Sequence, residues 1–228
     1  MGDSKDLWLS IHKDFPRRNI TLGFMSSNAY VSDPKMIAFM ASRYKFVSKL
    51  LAGRRTALEV GCGDAFAAPL VAQTVGHLLC TDIDEPTIRD NTARVTAFPN
   101  IDFRFHDFRQ GPLAEPVEAA YSCDVLEHVF PAEEAAFVGN IAASLVPQGV
   151  FVVGSPNIHA KDYASEYSRR GHVNLKSQDT LHALMSRYFE NVFMFSMNDE
   201  VVHTGFAPMA NYNFALCVTP RRDVPAAA

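Results

Sequence analysis

The chain has 228 residues, 48% of them hydrophobic, and a formal net charge of −4. That is enough apolar content for one self-sufficient core with modest extensions, and it leaves no basic field for nucleic acid, since Lys and Arg are scattered apart from pairs such as Arg54-Arg55 and Arg169-Arg170. No stretch reaches the roughly 18 apolar residues needed to span a bilayer, the N-terminus is charged rather than signal-like, and Cys62, Cys80, Cys123 and Cys217 stand far apart, so the expectation is a cytoplasmic protein with buried reduced thiols, no membrane partner and no nucleic-acid partner.

Residues 1–34 mix polar, aromatic and turn residues without a sustained period and are expected to form an N-terminal arm or lid. A helix is predicted to begin at Asp33-Pro34, a capping acid followed by proline in the first turn, with Met36, Ile37, Phe39, Met40, Tyr44, Val47, Leu50 and Leu51 at helical spacing before Gly53. From Thr56 onward short apolar runs alternate with longer amphipathic segments. The predicted strands are Ala57 to Val60, Leu78 to Thr81, Ile101 to Phe105, Ala119 to Cys123, Val150 to Gly154, Val192 to Met197 and Asn213 to Val218, with helices over 65–75, 85–96, 132–145 and 177–187. Such alternation implies an α/β fold with a mainly parallel sheet covered on both faces, because each parallel crossover needs a helix to return the chain. Asn198 to Asn211 reads as polar turn rather than helix, so the last strand is expected to pair antiparallel. The main domain spans 35–222, with a lid insertion around 155–176 and a short tail at 223–228.

Ligands of open parallel sheets sit beyond the carboxyl ends of the strands. Here those ends are acidic: Glu59 before the glycine turn Gly61-Cys62-Gly63, Asp82 before Ile83, Asp107 before Phe108, and Asp124. Glycines at a strand-to-helix turn let the backbone approach a ligand. A carboxylate beside that turn argues against a pyrophosphate and for a cationic or amino-bearing ligand. Asp82 lies at the spacing at which an acid accepts from ribose hydroxyls, and an acid after the third strand is placed to meet an adenine amine.

In combination, Glu59 to Gly63, Asp82, Asp107 and the run Asp124-Val125-Leu126-Glu127-His128-Val129 resemble the class I S-adenosylmethionine-dependent methyltransferases, over residues 35 to 219. Gly154-Ser155-Pro156-Asn157 and Gly171-His172-Val173-Asn174-Leu175 resemble the small-molecule branch that includes ubiquinone-biosynthesis O-methyltransferases. The resemblance implies a Rossmann-like, seven-stranded sheet with a reversed final strand. It implies S-adenosylmethionine as cofactor and a small-molecule acceptor, with Glu59, Gly61, Cys62, Gly63, Asp82, Ile83, Asp107, Phe108 and Asp124 around the cofactor. Ala65 departs from the family, which often has a third glycine there. For removal of a proton from a hydroxyl acceptor the candidates are His128 and His172, with Asp124. The set Asp124, Glu127, His128 and His172 also suits a divalent metal ion. Other readings of the same residues are a noncatalytic cofactor-binding scaffold and an RNA-modifying methyltransferase.

Overall fold

The computed structural model describes residues 3–222, and the expected tail at 223–228 lies outside them. Among the described residues, one sheet of eight strands runs in the order β3-β2-β1-β4-β5-β8-β6-β7. Its first five strands in that order are parallel: β3 (Ile101–Phe105), β2 (His77–Asp82), β1 (Thr56–Val60), β4 (Val117–Cys123) and β5 (Leu145–Pro156). Strand β8 (Tyr212–Pro220) inserts antiparallel between β5 and β6 (Phe189–Asn198). The expected reversed strand is therefore present.

Period-two burial on β1 explains how the sheet holds two layers together. Leu58 and Val60 join one apolar cluster with Phe137, Val138 and Ile141 of α6 (Glu134–Ala143) and Leu181, Leu184 and Met185 of α8 (Gln178–Ser186). Ala57 faces the other cluster, with Val47 and Leu51 of α3 (Lys35–Leu51), Val71 of α4 (Ala68–Ala72) and Ile88 of α5 (Glu85–Arg94). Asp84 caps α5 by accepting from the Thr87 backbone N–H at 3.2 Å, and Ser177 and Thr180 close the start of α8 in a reciprocal capping box.

The expected N-terminal segment contains two helices, Ser4–Asp14 (α1), capped by Asp3, and Phe24–Ser32 (α2), and two further expectations need correction. The helix expected over 65–75 shrinks to Ala68–Ala72, because Ala65 at φ +54° cannot sit in a right-handed helix. The polar stretch after Asn198 makes a hairpin through Asp199, at φ +50°, and an eighth, three-residue edge strand β7 (Val201–His203), so the sheet exceeds the seven strands implied by resemblance. The expected lid insertion holds a 3₁₀ segment (Ile158–Tyr163) and α7 (Glu166–Gly171).

Candidate active site

Strand order reverses between β1 and β4, and a crevice at the carboxyl ends there is where an open α/β sheet binds ligands. The glycine turn leaves β1 at this point. Gly61 has φ +74° and Gly63 φ +50°, conformations that cost an L side chain about 1 kcal/mol or more. Gly61 is constrained twice, since a Cβ on it would lie 2.4 Å from Val125 Cγ2 in the segment after β4. The turn is pinned from outside: Asp82 Oδ2 accepts from the Gly63 N–H at 2.9 Å, and Asn91 Nδ2 of α5 donates to the Gly63 carbonyl at 2.7 Å. Asp82 Oδ1 accepts from the Asp84 N–H. Each of its oxygens keeps a further lone pair for a ligand.

Glu59 lies beneath the turn rather than in the crevice. It is fully buried, accepting from Tyr44 Oη of α3 at 2.7 Å and from Cys80 Sγ at 3.2 Å. Burial pushes its carboxyl up to about 7, against the hydrogen bonds from Tyr44 and Cys80 that favour the charged form. The charge argument against a phosphate ligand therefore weakens, because near neutral pH this group carries only part of a charge. Burial also raises the Cys62 thiol, and all four cysteines are free and buried as expected.

At the end of β3, Asp107 grips Arg109, with Oδ1 accepting from Arg109 Nε at 2.9 Å and Oδ2 from a guanidinium nitrogen at 2.8 Å. Those bonds hold the Asp107 carboxyl below its ordinary range. Phe108 is buried against the sheet, and Ile83 is exposed at the crevice rim.

The four candidates for a metal do not all meet. Glu127, His128 and His172 each bring one ligand atom within 4.8 Å of the others, and Asp124 is not in that group. Asp124, at φ +59°, faces the other way and binds Arg43 of α3 through both oxygens, at 2.9 and 2.7 Å. Arg43 also lies 4.0 Å over the Tyr212 ring. Burial alone disfavours its charge, and Asp124 more than offsets that. Glu127 is buried; among the described residues Oε1 has no hydrogen-bond partner, and Oε2 accepts from Ser155 Oγ at 3.3 Å. Burial, with Asp124 nearby, pushes its carboxyl up to about 8. His128 Nδ1 stands 3.0 Å from the Gly171 carbonyl, which can only accept, so the proton belongs on Nδ1 and the Nε2 lone pair is free. His172 stacks edge-on to His128 at 5.1 Å, and its burial and that neighbour lower its pKa.

Residues 57–149 match the model of a methyltransferase domain family. A probable S-adenosylmethionine-dependent methyltransferase of Mycolicibacterium smegmatis is 34% identical over 119 residues, which is 50% of this chain and 44% of that protein. Over this stretch the chain is similar to S-adenosylmethionine-dependent methyltransferases. A probable methyltransferase of Mycobacterium tuberculosis is 29% identical over a stretch of the same length, 42% of its own sequence, so the chain spans less than half the length of the curated relatives it matches. Among solved structures, the N-methyltransferase NodS from Bradyrhizobium japonicum, in complex with S-adenosylhomocysteine, aligns with a TM-score of 0.61 at 17% identity, covering 80% of this chain and 86% of that one. The methyltransferase domain of bacterial CtHen1 aligns at 0.66 and 13%, covering 80% and 100%. At such identities the likeness is one of fold.

Several contacts of this site were not anticipated from the sequence. Tyr44 and Arg43, adjacent on α3, reach Glu59 and Asp124 on two neighbouring strand ends. The carboxylate that Arg43 holds is that of Asp124. Asn91 and Arg94, a helical turn apart on α5, tie the carbonyls of Gly63 and Asp64; their i, i+3 spacing after the Asp84 cap was the available signal. Tyr163, Tyr167, Arg169 and Arg170 of the lid are exposed, and Tyr30 is largely so. Among the described residues no helix is long and apolar enough to cross a membrane.

Proposed function

We propose that this protein transfers the methyl group of S-adenosylmethionine to an oxygen of a small metabolite, with nitrogen as the next choice of acceptor. The observation that carries the reading is the row of groups on three neighbouring strand ends: the Gly61–Gly63 backbone, Asp82, and Asp107 with Phe108. In this reading Gly61, Cys62 and Gly63 border the methionine part of the cofactor, Asp82 accepts from the ribose hydroxyls, and Ile83, Asp107 and Phe108 flank the adenine. Glu59 supports the turn from below, its backbone carbonyl accepting from Thr81 Oγ1 at 2.7 Å.

The bound cofactor supplies an already activated methyl group, so the chain has to align an acceptor and remove a proton. Val125, which abuts Gly61, stands three residues before His128, and this supports a reading in which the histidine cluster works near the glycine turn. The free Nε2 of His128 and a neutral His172 suit proton acceptance. The same three side chains fit a divalent ion: Glu127 offers a buried, unpartnered oxygen, and His128 has its other ring nitrogen fixed by a backbone carbonyl, the usual outer support of a ligating imidazole. Bound there, such an ion lowers the pKa of an acceptor hydroxyl. Segment 155–176, which supplies His172, serves as the lid.

S-adenosylhomocysteine is expected to raise the melting temperature while nicotinamide cofactors do not; the opposite result refutes the assignment. Asp82→Ala is expected to weaken that binding by about 1.5–3 kcal/mol, the worth of a hydrogen bond to a charged group. Activity that survives stringent chelation, in protein free of metal by elemental analysis, rules out the ion and leaves the histidines as base.

A further inference from the structure

The first turn of α2 carries no cap of its own. Gly23 occupies the N-cap position and has no side chain to satisfy the free amides. Asp64, the residue after the glycine turn, does so from a distance of 38 positions in sequence: Oδ2 accepts from the Ser26 N–H at 2.7 Å, and Oδ1 from Ser26 Oγ at 2.8 Å. An N-cap aspartate makes this same bond to the third helical amide, and a negative charge at a helix N-terminus is favourable besides. Gly23 must be glycine for this to happen, because a Cβ there would lie 2.3 Å from Asp64 Cβ. Ser26 and Asp64 are both buried.

The junction continues into α5. Arg94 donates to the Asp64 carbonyl at 2.7 Å and reaches the Thr21 carbonyl at 3.4 Å, while Asn91 holds the Gly63 carbonyl. Met25, beside Ser26, brings its sulfur within 3.5 Å of where a Cβ on Gly63 would stand. The turn, α5 and the segment entering α2 are thus joined by polar contacts, those of Asp64 with Ser26 buried, with α2 seated on the turn itself.

We propose that Asp64 is a cofactor-positioning residue that acts through α2: by capping this helix in trans it seats Met25 against Gly63 and closes the methionine end of the crevice. The proposal rests on the cofactor reading given above. Breaking the clasp leaves the turn in place but lowers the fraction of molecules with α2 seated, and apparent affinity falls by that fraction.

The test measures S-adenosylhomocysteine binding by calorimetry for wild type, Asp64→Ala, Asp64→Asn and Gly23→Ala, together with proteolysis in the 15–23 segment. If the seated fraction falls to a tenth, Asp64→Ala weakens binding about tenfold. Asp64→Asn, which retains one acceptor oxygen, recovers part of the loss, and Gly23→Ala, which keeps the Asp64 carboxylate but sets a Cβ against it from the α2 side, reproduces it. Ligand is expected to protect the 15–23 segment in wild type and not in Asp64→Ala. Unchanged affinity in Asp64→Ala overturns the clasp. So does a loss in Asp64→Ala that Gly23→Ala does not share, since Asp64 then acts on the turn directly. A wild type that binds no S-adenosylhomocysteine overturns the cofactor reading itself.

Discussion

Glu59 is held in a fully buried pocket between Tyr44 and Cys80, and burial raises its carboxyl from 4.5 to about 7. Between those values the folded state binds more protons than the unfolded chain, so this group's contribution to stability is complete below pH 4.5 and is lost as the pH rises through 7. The window corresponds to at most about 3–4 kcal/mol, at roughly 1.4 kcal/mol per unit. Glu59→Gln keeps the shape and removes the titration. Its melting temperature is therefore expected to change less than that of wild type between pH 5 and about 7.5, a comparison made by calorimetry in matched buffers. Parallel profiles for the two proteins would remove Glu59 as the source. The sequence places this residue at the end of the first strand, where it lies, and gives no sign of its burial, because a strand residue does not reveal which helix covers it.

Elements with strong periodicity were legible in the sequence: α3, α5, α6, α8 and the seven longer strands fall close to their expected positions, and the reversed β8 followed from the missing helix before it. What failed depended on contacts distant in sequence. Helix α2 begins at a glycine whose cap comes from Asp64, so its start carries no local signal. Helix α4 is short because the turn extends through Ala65. The packing of that turn against the segment after β4 has its own consequence. Gly61→Ala combines a left-handed backbone position with a Cβ 2.4 Å from Val125 Cγ2, and is expected to cost about 2–3 kcal/mol from the two effects together. Adding Val125→Ala removes the clash and leaves the backbone term, so the double variant is expected to regain about half of the loss in chemical denaturation. A strictly additive double variant would show that the two elements do not press on each other here.

At the scale of the molecule, the two N-terminal helices differ in kind although the sequence showed neither. Ser26 of α2 is buried against Asp64, whereas α1 buries no residue, and Leu7, Trp8 and Ile11 stand exposed along it. The two apolar clusters are therefore built without α1: both draw on residues from Tyr44 onward. A variant starting at Phe15 loses exposed surface only, a change worth about 0.5 kcal/mol or less, and for a chain of this size its melting temperature is expected to stay within about 2 °C of wild type. Its affinity for S-adenosylhomocysteine is expected to hold as well. Removal through Ser32 deletes the partner of Asp64 and leaves that buried carboxylate without its two donors, so both quantities should fall. Thermal unfolding and calorimetry on the pair of truncations read the contrast directly. Equal losses in the two would show that α1 contributes to the closed crevice, and no loss in either would separate the whole N-terminal segment from cofactor binding.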